Sequence, residues 1–267
     1  MDKIRVLASG LRFPEGPAFD TAGRLWCVEQ EGGSLHCWER NGATHRVHTG
    51  GRPNGAIVRD DYLWFCDSGY NAIRRLHLPT GQLDTVLDQI AGQPLSRPND
   101  LVFDARDNLV FTCPGPPDGD QLGYVAVYRP NGSAEIIAEG LAYPNGLALP
   151  NAHTLQIGET HRQRIWCGYW DADMVSWENI RVWTSVVDAP DGAPFPGPDG
   201  LCVGPDGTLY VAVFGAGQIR MFSADGTLLR FIDLPGKNPT NCTIDPLGEL
   251  GLIITETERG ELLSVKV

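Results

Sequence analysis

Six short segments of the chain lead with a proline and then a polar side chain, and those polar positions are the residues placed to do chemistry. The segments are FPEGPAFD from Phe13, RPNGAIVRD from Arg52, RPNDLVFD from Arg97, YPNGLAL from Tyr143, GPDGLCVG from Gly197 and NPTNCTID from Asn238. Aligned on the proline, Glu15, Asn54, Asn99, Asn145, Asp199 and Thr240 fall in one column, at intervals of 39, 45, 46, 54 and 41 residues. Every one of them carries a side-chain oxygen. Two carboxylates among carboxamides form a hard-oxygen donor set that suits Ca²⁺, Mg²⁺ or Mn²⁺, whereas Zn²⁺ ordinarily brings His or Cys. Asn and Asp also favour turns, and PNG is a common turn tripeptide. Turn chemistry accounts for any single segment but not for Glu15, a weak turn former, in the same column.

Other site chemistries find little support. The six histidines (36, 45, 48, 77, 153 and 161) show no HExxH spacing, and His161, just after the fourth segment, reads as a loop histidine. No GxSxG elbow, P-loop or dinucleotide fingerprint is present. The seven cysteines (27, 37, 66, 113, 167, 202 and 242) form no CxxC pair. Most lie in apolar runs such as LWCVE and LWFCD, where a buried reduced thiol is expected.

The elements that must position the column repeat with it. Each segment continues as an apolar run, a turn and a second apolar run, the turns being TAGR, RDDY, ARDN, PNAH, PDGT and PLGE. A third run follows in most copies: SLHCWER, AIRRLHL, GYVAVYR, RIWCGYW and QIRMFSA. A period of roughly 40 to 50 residues holding several short strands is the size of one four-stranded propeller blade. With 32 Gly and 20 Pro, the composition fits many short strands joined by turns. RVLASGL near the start and LLSVKV at the end are lone strands, and pairing them in one blade would remove a free edge. The expectation is an all-β, six-bladed β-propeller of four-stranded antiparallel blades. The N-terminal strand closes the ring at the outer edge of the last blade, in a single domain spanning 1–267. The strand after each proline would be innermost, so the polar column would line the central channel.

The charge balance, 21 basic against 33 acidic residues, gives −12. That argues against a nucleic-acid or anionic-membrane partner, since both need clustered Lys and Arg. No stretch approaches 18 apolar residues, and the first residues lack the apolar core and cleavage site of a signal peptide. A cytoplasmic protein is expected.

FPEGPAFD, SRPNDLVFD, YPNGLAL and GPDGLCVGPDGTLYVA resemble the SMP-30/gluconolactonase/LRE-like (regucalcin-like) family, and the resemblance covers essentially the whole chain. It implies a six-bladed propeller with one divalent ion on its axis (Ca²⁺, Zn²⁺, Mn²⁺ or Mg²⁺) and hydrolysis of a sugar (aldono-) lactone or related small lactone to the hydroxy acid. Residue by residue, it implies Glu15, Asn145 and Asp199 as metal ligands, with Asp199 also the catalytic base. Arg97 and Asn99 would bind substrate oxygens, with Asp100 structural and Asn54 and Thr240 lining the wall. Several lactonase relatives read FTDPG where this chain reads FTCPG, so Cys113 replaces an Asp, and a second, structural ion tied to that Asp is not expected. The following loop, GPPDGDQLG, is expected at the rim over the site. The alternatives are a metal-dependent hydrolase of another ester class and a non-enzymatic binding propeller. An interaction propeller has no need of an ionic axis.

Overall fold

Short apolar runs bounded by Gly, Asn and Asp turns pair here into antiparallel sheets, each too small to bury both of its faces alone. The computed structural model describes residues 3–117, 121–187 and 195–267, in which six four-stranded sheets form the blades of a β-propeller. From the axis outward, the first blade is Pro14–Phe19, Leu25–Glu29, Ser34–Trp38 and Thr44–His48. The second is Pro53–Arg59, Tyr62–Asp67, Ala72–His77 and Gln82–Leu87. The third is Leu101–Phe103, Leu109–Cys113, Gly123–Tyr128 and Ala134–Leu141. The fourth is Pro144–Asn151, Thr154–Glu159, Arg164–Asp171 and Ser176–Ser185. The fifth is Gly197–Val203, Leu209–Phe214, Gln218–Phe222 and Leu228–Asp233. The sixth joins Pro239–Ile244, Leu252–Glu256 and Glu261–Val265 to the N-terminal strand Ile4–Ser9, with Ile4 opposite Val265. That is the ring closure expected from the two lone strands.

The core lies between blades. Val28 and Leu35 of the first blade pack against Leu63, Phe65 and Leu76 of the second, all at most 1% exposed. Truncating a ring such as Phe65 to Ala would cost about 3–5 kcal/mol. The outermost strands contribute little: Thr44–His48 is exposed at four of its five positions.

Buried acids tie four of the six blades to the segments that enter them. Where a second strand reaches the leading proline, Glu29, Asp67, Glu159 and Glu256 stand opposite Pro14, Pro53, Pro144 and Pro239. Each accepts a backbone N–H from the entering segment: Arg12 to Glu29 at 3.1 Å, Arg52 to Asp67 at 2.9 Å, Ala142 to Glu159 at 2.7 Å and Asn238 to Glu256 at 3.0 Å. In the third blade Cys113 ends the second strand instead. Tyr124, its cross-strand partner, supplies the missing acceptor: the Ser96 N–H donates to its hydroxyl at 3.1 Å. The FTCPG departure is therefore compensated within the blade. Burial pushes the Cys113 thiol up to about 12, which leaves it a protonated, inert core residue.

Candidate active site

Five of the six inner strands lose register at the motif. The ladder shifts between Glu15 and Ala18, Pro53 and Ala56, Pro144 and Leu147, Pro198 and Leu201, and Pro239 and Asn241. A bulge re-aims the residue it contains, and here it turns the polar column toward the axis. In the third blade, residues before Leu101 fall outside the inner strand, yet the Asn99 N–H still donates to the Thr112 carbonyl at 2.8 Å. The glycine after the column residue lets neighbouring inner strands touch. A Cβ on Gly55 would stand 2.7 Å from the Asp100 Cα, and one on Gly146 would stand 2.7 Å from the Gly200 Cα. Side chains there would force the strands apart.

Glu15, Asn54, Asn99, Asn145 and Asp199 all line one axial cavity of about 240 Å³, and all are buried. Arg97 lines it with them. Thr240 does not. It is fully buried, and its hydroxyl donates to the Pro14 carbonyl at 2.7 Å and lies 2.8 Å from the Thr255 hydroxyl. The sixth position of the column thus ties the last blade to the first, a correction to its expected place on the wall. Thr112 and Thr160 make the same kind of tie, donating to the Asn145 and Pro198 carbonyls at 2.8 and 2.7 Å.

Two blades lack the glycine. Asp100 and Asn241 occupy its place in the third and sixth blades, which lie opposite each other in the ring. Their side chains meet across the axis, with Asn241 Nδ2 donating to Asp100 Oδ2 at 3.3 Å. This bridge lies beneath the column: both residues line a second, largely apolar chamber at the far end of the channel. Asp100 holds this bridge, and its charge adds to the rise of the carboxyls above it.

Burial pushes the Glu15 carboxyl up to about 8, the Asp100 charge adding to the rise, while the Gly16 N–H and the Asn241 amide oppose it. Burial likewise raises Asp100 to about 7. Asp199 lies well above the usual carboxylate range, from burial first and then from Glu15 and Asp100. Neither Glu15 nor Asp199 has a Lys or Arg ion-pair partner among the described residues. Asn145 donates Nδ2 to the Thr160 hydroxyl at 3.2 Å, and its side chain also hydrogen-bonds the Asp199 carboxyl. The Asn54 Oδ1 is buried without any partner among the described residues. Two buried acids and an orphaned carboxamide oxygen in one cavity are a donor set in want of a cation, and a hard divalent ion fits them. Among the described residues no three His, Cys, Asp or Glu side chains could hold a metal alone, so the carboxamides are needed.

Three residues before the leading prolines, Phe13, Arg97 and Tyr143, have φ of 57°, 53° and 62°. All three line the cavity. Left-handed backbone at a side-chain-bearing residue costs about 1–2 kcal/mol, a strain of the kind that gathers at functional sites. Sequence reasoning singled out Arg97 here but missed the two aromatics. It also missed Arg52, Gln30, Phe195 and Phe214, which complete the wall. For Arg52 the signal was present, since RPNG repeats the RPND motif of Arg97. His161 stacks on Tyr143, with ring centroids 4.7 Å apart, so the loop histidine backs a wall residue. Burial lowers its pKa and keeps it neutral near pH 7. From the expected rim loop, Gly115 and Pro117 line the cavity, whereas residues 118–120 lie outside those described.

Among the described residues no helix is long and apolar enough to cross a membrane. The chain is 26% identical over 275 residues to a gluconolactonase from Zymomonas mobilis subsp. mobilis, covering 92% of this chain and 77% of that protein. Its structure superposes on that of a gluconolactonase from Xanthomonas campestris with a TM-score of 0.85 at 28% identity, covering 99% and 89% of the two chains. A calcium-binding regucalcin from Agrobacterium tumefaciens has the same fold, with a TM-score of 0.86 at 18% identity and coverage of 99% and 95%. The model of the SMP-30/Gluconolactonase/LRE-like region matches residues 13–256, nearly the whole propeller from the first inner strand to the last second strand. The chain belongs to the SMP-30/gluconolactonase/LRE-like family.

Proposed function

We propose that this protein is a divalent-metal-dependent lactonase that hydrolyses a sugar lactone or a related small lactone to the hydroxy acid. The observation that carries the reading is the pair Glu15 and Asp199, two buried acids in one cavity with no cationic side chain paired to either among the described residues. Its setting, a family with gluconolactonases among its members, supports the same reaction. Glu15, Asn145 and Asp199 would hold the ion, which supplies carbonyl polarisation and an acidified water. The Asp199 carboxylate takes the proton from the attacking water and returns it to the ring oxygen as the ester bond breaks. Arg97 and Asn99 hold substrate oxygens and so orient the lactone carbonyl over the acids. Seven unpaired cysteines support placing the reaction in a reducing compartment such as the cytoplasm.

Acid release from aldonolactones and simple γ- and δ-lactones, followed at constant pH with Ca²⁺, Mn²⁺, Mg²⁺ or Zn²⁺ restored after chelation, tests the proposal. Turnover should require the ion, and Asp199→Asn should lower it by about 10²–10⁴-fold. Full turnover by a metal-loaded Asp199→Asn, or no turnover of any lactone with any of the four ions, would sink it.

A further inference from the structure

The cavity is polarised by charge. Its buried end carries Glu15 and Asp199, while half-buried Arg97 and exposed Arg52 line it nearer solvent. Both arginines open an R-P-N motif, and one turn fixes both backbones. Ser68 donates its N–H and its hydroxyl to the Arg52 carbonyl at 3.0 and 3.1 Å, and Asn71 Oδ1 accepts the Arg97 N–H at 3.1 Å. The two arginines thus enter the second and third blades from backbones tied to the same turn, and both line the cavity.

Acids outnumber bases 33 to 21, and most arginines here pair with a carboxylate, Arg24, Arg40, Arg46, Arg74, Arg106 and Arg164 among them. Among the described residues Arg52 and Arg97, like Arg5, Arg12 and Arg181, do not, but these two line the cavity. Arg52 Nη2 donates only to the neutral Gln30 Oε1, at 3.0 Å, and Gln30 lines the same cavity.

A neutral polyhydroxy lactone would be served by Asn54, Asn99, Ser68 and Gln30, all on the wall. As it settled, it would strip water from two cations and return nothing of opposite charge, which is unfavourable. An anionic oxygen pair would compensate both guanidinium groups, and the planar fork of Arg suits a carboxylate or a phosphate. Held by the two arginines nearer solvent, that anion would stay at the outer end and leave the uncharged lactone carbonyl to point inward.

We infer that the lactone this protein takes bears a second, anionic group, a carboxylate or a phosphate ester, held by Arg52 together with Arg97. The inference rests on the lactonase reading and narrows its substrate class. Arg52 is then a specificity-determining residue.

The experiment compares kcat/KM of the metal-loaded protein for gluconolactone, glucarolactone and phosphogluconolactone. One of the two charged lactones should exceed the neutral one by tenfold or more, and which of them does so tells carboxylate from phosphate. The advantage should shrink as salt rises from about 50 to about 500 mM. Arg52→Gln should reduce the charged-to-neutral ratio about tenfold, the worth of one charge-assisted contact, while Arg52→Lys should keep most of it. Equal or lower efficiency for both charged lactones, or a ratio unmoved by Arg52→Gln, would overturn the inference. If no lactone turns over, the lactonase reading falls, and calorimetry then decides the anion site alone. Glucarate bound at least tenfold more tightly than neutral glucitol, with the difference lost in Arg52→Gln, supports the site; equal binding overturns it.

Discussion

Raising the pH should destabilise the metal-stripped propeller, and Glu15 is one of three buried acids that make it so. Its carboxyl rises from an ordinary 4.5 to about 8 in the fold, chiefly through burial. A folded-state value above the unfolded one means that the native protein holds a proton the unfolded chain has released. Stability is therefore full below pH 4.5 and falls as pH climbs toward 8. At ~1.4 kcal/mol for each tenfold change in proton affinity, the loss from Glu15 alone is on the order of 5 kcal/mol. Glu15 is only 4% exposed, so solvent screens little of this. Asp100, raised to about 7, and Asp199, also raised, push in the same direction. For a domain of this size such a loss corresponds to a fall of roughly 10 °C or more in Tm. A bound divalent ion reverses the balance by favouring the ionised acids. The assay is thermal unfolding in chelator at about pH 5.5, 7 and 8.5, repeated with excess Ca²⁺ or Mn²⁺ and with Glu15→Gln. Wild type should lose stability with pH only when stripped, stabilisation by the ion should grow with pH, and Glu15→Gln should make the slope shallower. A stripped wild type whose Tm does not fall over this range, or a Glu15→Gln slope equal to that of wild type, would refute the electrostatic account of the axis.

Three further outcomes follow from the packing. Gly146→Ala would set a Cβ 2.7 Å from the Gly200 Cα and against the Asp199 carbonyl; it should cost about 1–3 kcal/mol in a denaturant titration and lower lactonase turnover by displacing Asp199. Tyr124→Phe leaves the Ser96 N–H without its hydroxyl acceptor, which should lower the unfolding free energy from a urea titration by about 1–3 kcal/mol while metal binding is retained. Arg97→Ala should reduce kcat/KM about tenfold or more, the value of a charged hydrogen bond, with no loss of Tm, because its side chain has no ion-pair partner among the described residues.

How legible all this was depended on whether the physics acts locally along the chain. The bulged inner strand needs a proline to enter, a polar residue to aim and a glycine to pass its neighbour, so its signature is contiguous and repeats at Glu15, Asn54, Asn145 and Asp199. The lone strands Ile4–Ser9 and Glu261–Val265 were readable because a free edge must be covered. The fourth strands of the other blades were not readable: Thr44–His48 lies on the outside and carries no apolar alternation. Gln89–Ile90 and Gln93–Pro94, a two-stranded hairpin between the second and third blades, are too short to leave a pattern. The Asp100–Asn241 bridge joins residues 141 apart, and in sequence they show only as two departures from a glycine column. Thr240 matched the column in type, but its hydroxyl found a closer acceptor in the Pro14 carbonyl. The substitution of Tyr124 for an acid became visible only through cross-strand register. Arg52 was in plain view as part of a repeated motif, yet only the cavity gave its lack of a carboxylate a meaning.

The central claim is that Glu15, Asn145 and Asp199 gather on the axis to hold one divalent ion. Calorimetric titration of chelator-stripped protein with Ca²⁺ and Mn²⁺ tests it most directly. One ion per chain should bind, with affinity rising with pH as the buried acids lose their protons, and Asp199→Asn should weaken it at least a hundredfold. Absence of binding by either ion, or equal affinity in wild type and Asp199→Asn, would contradict the account.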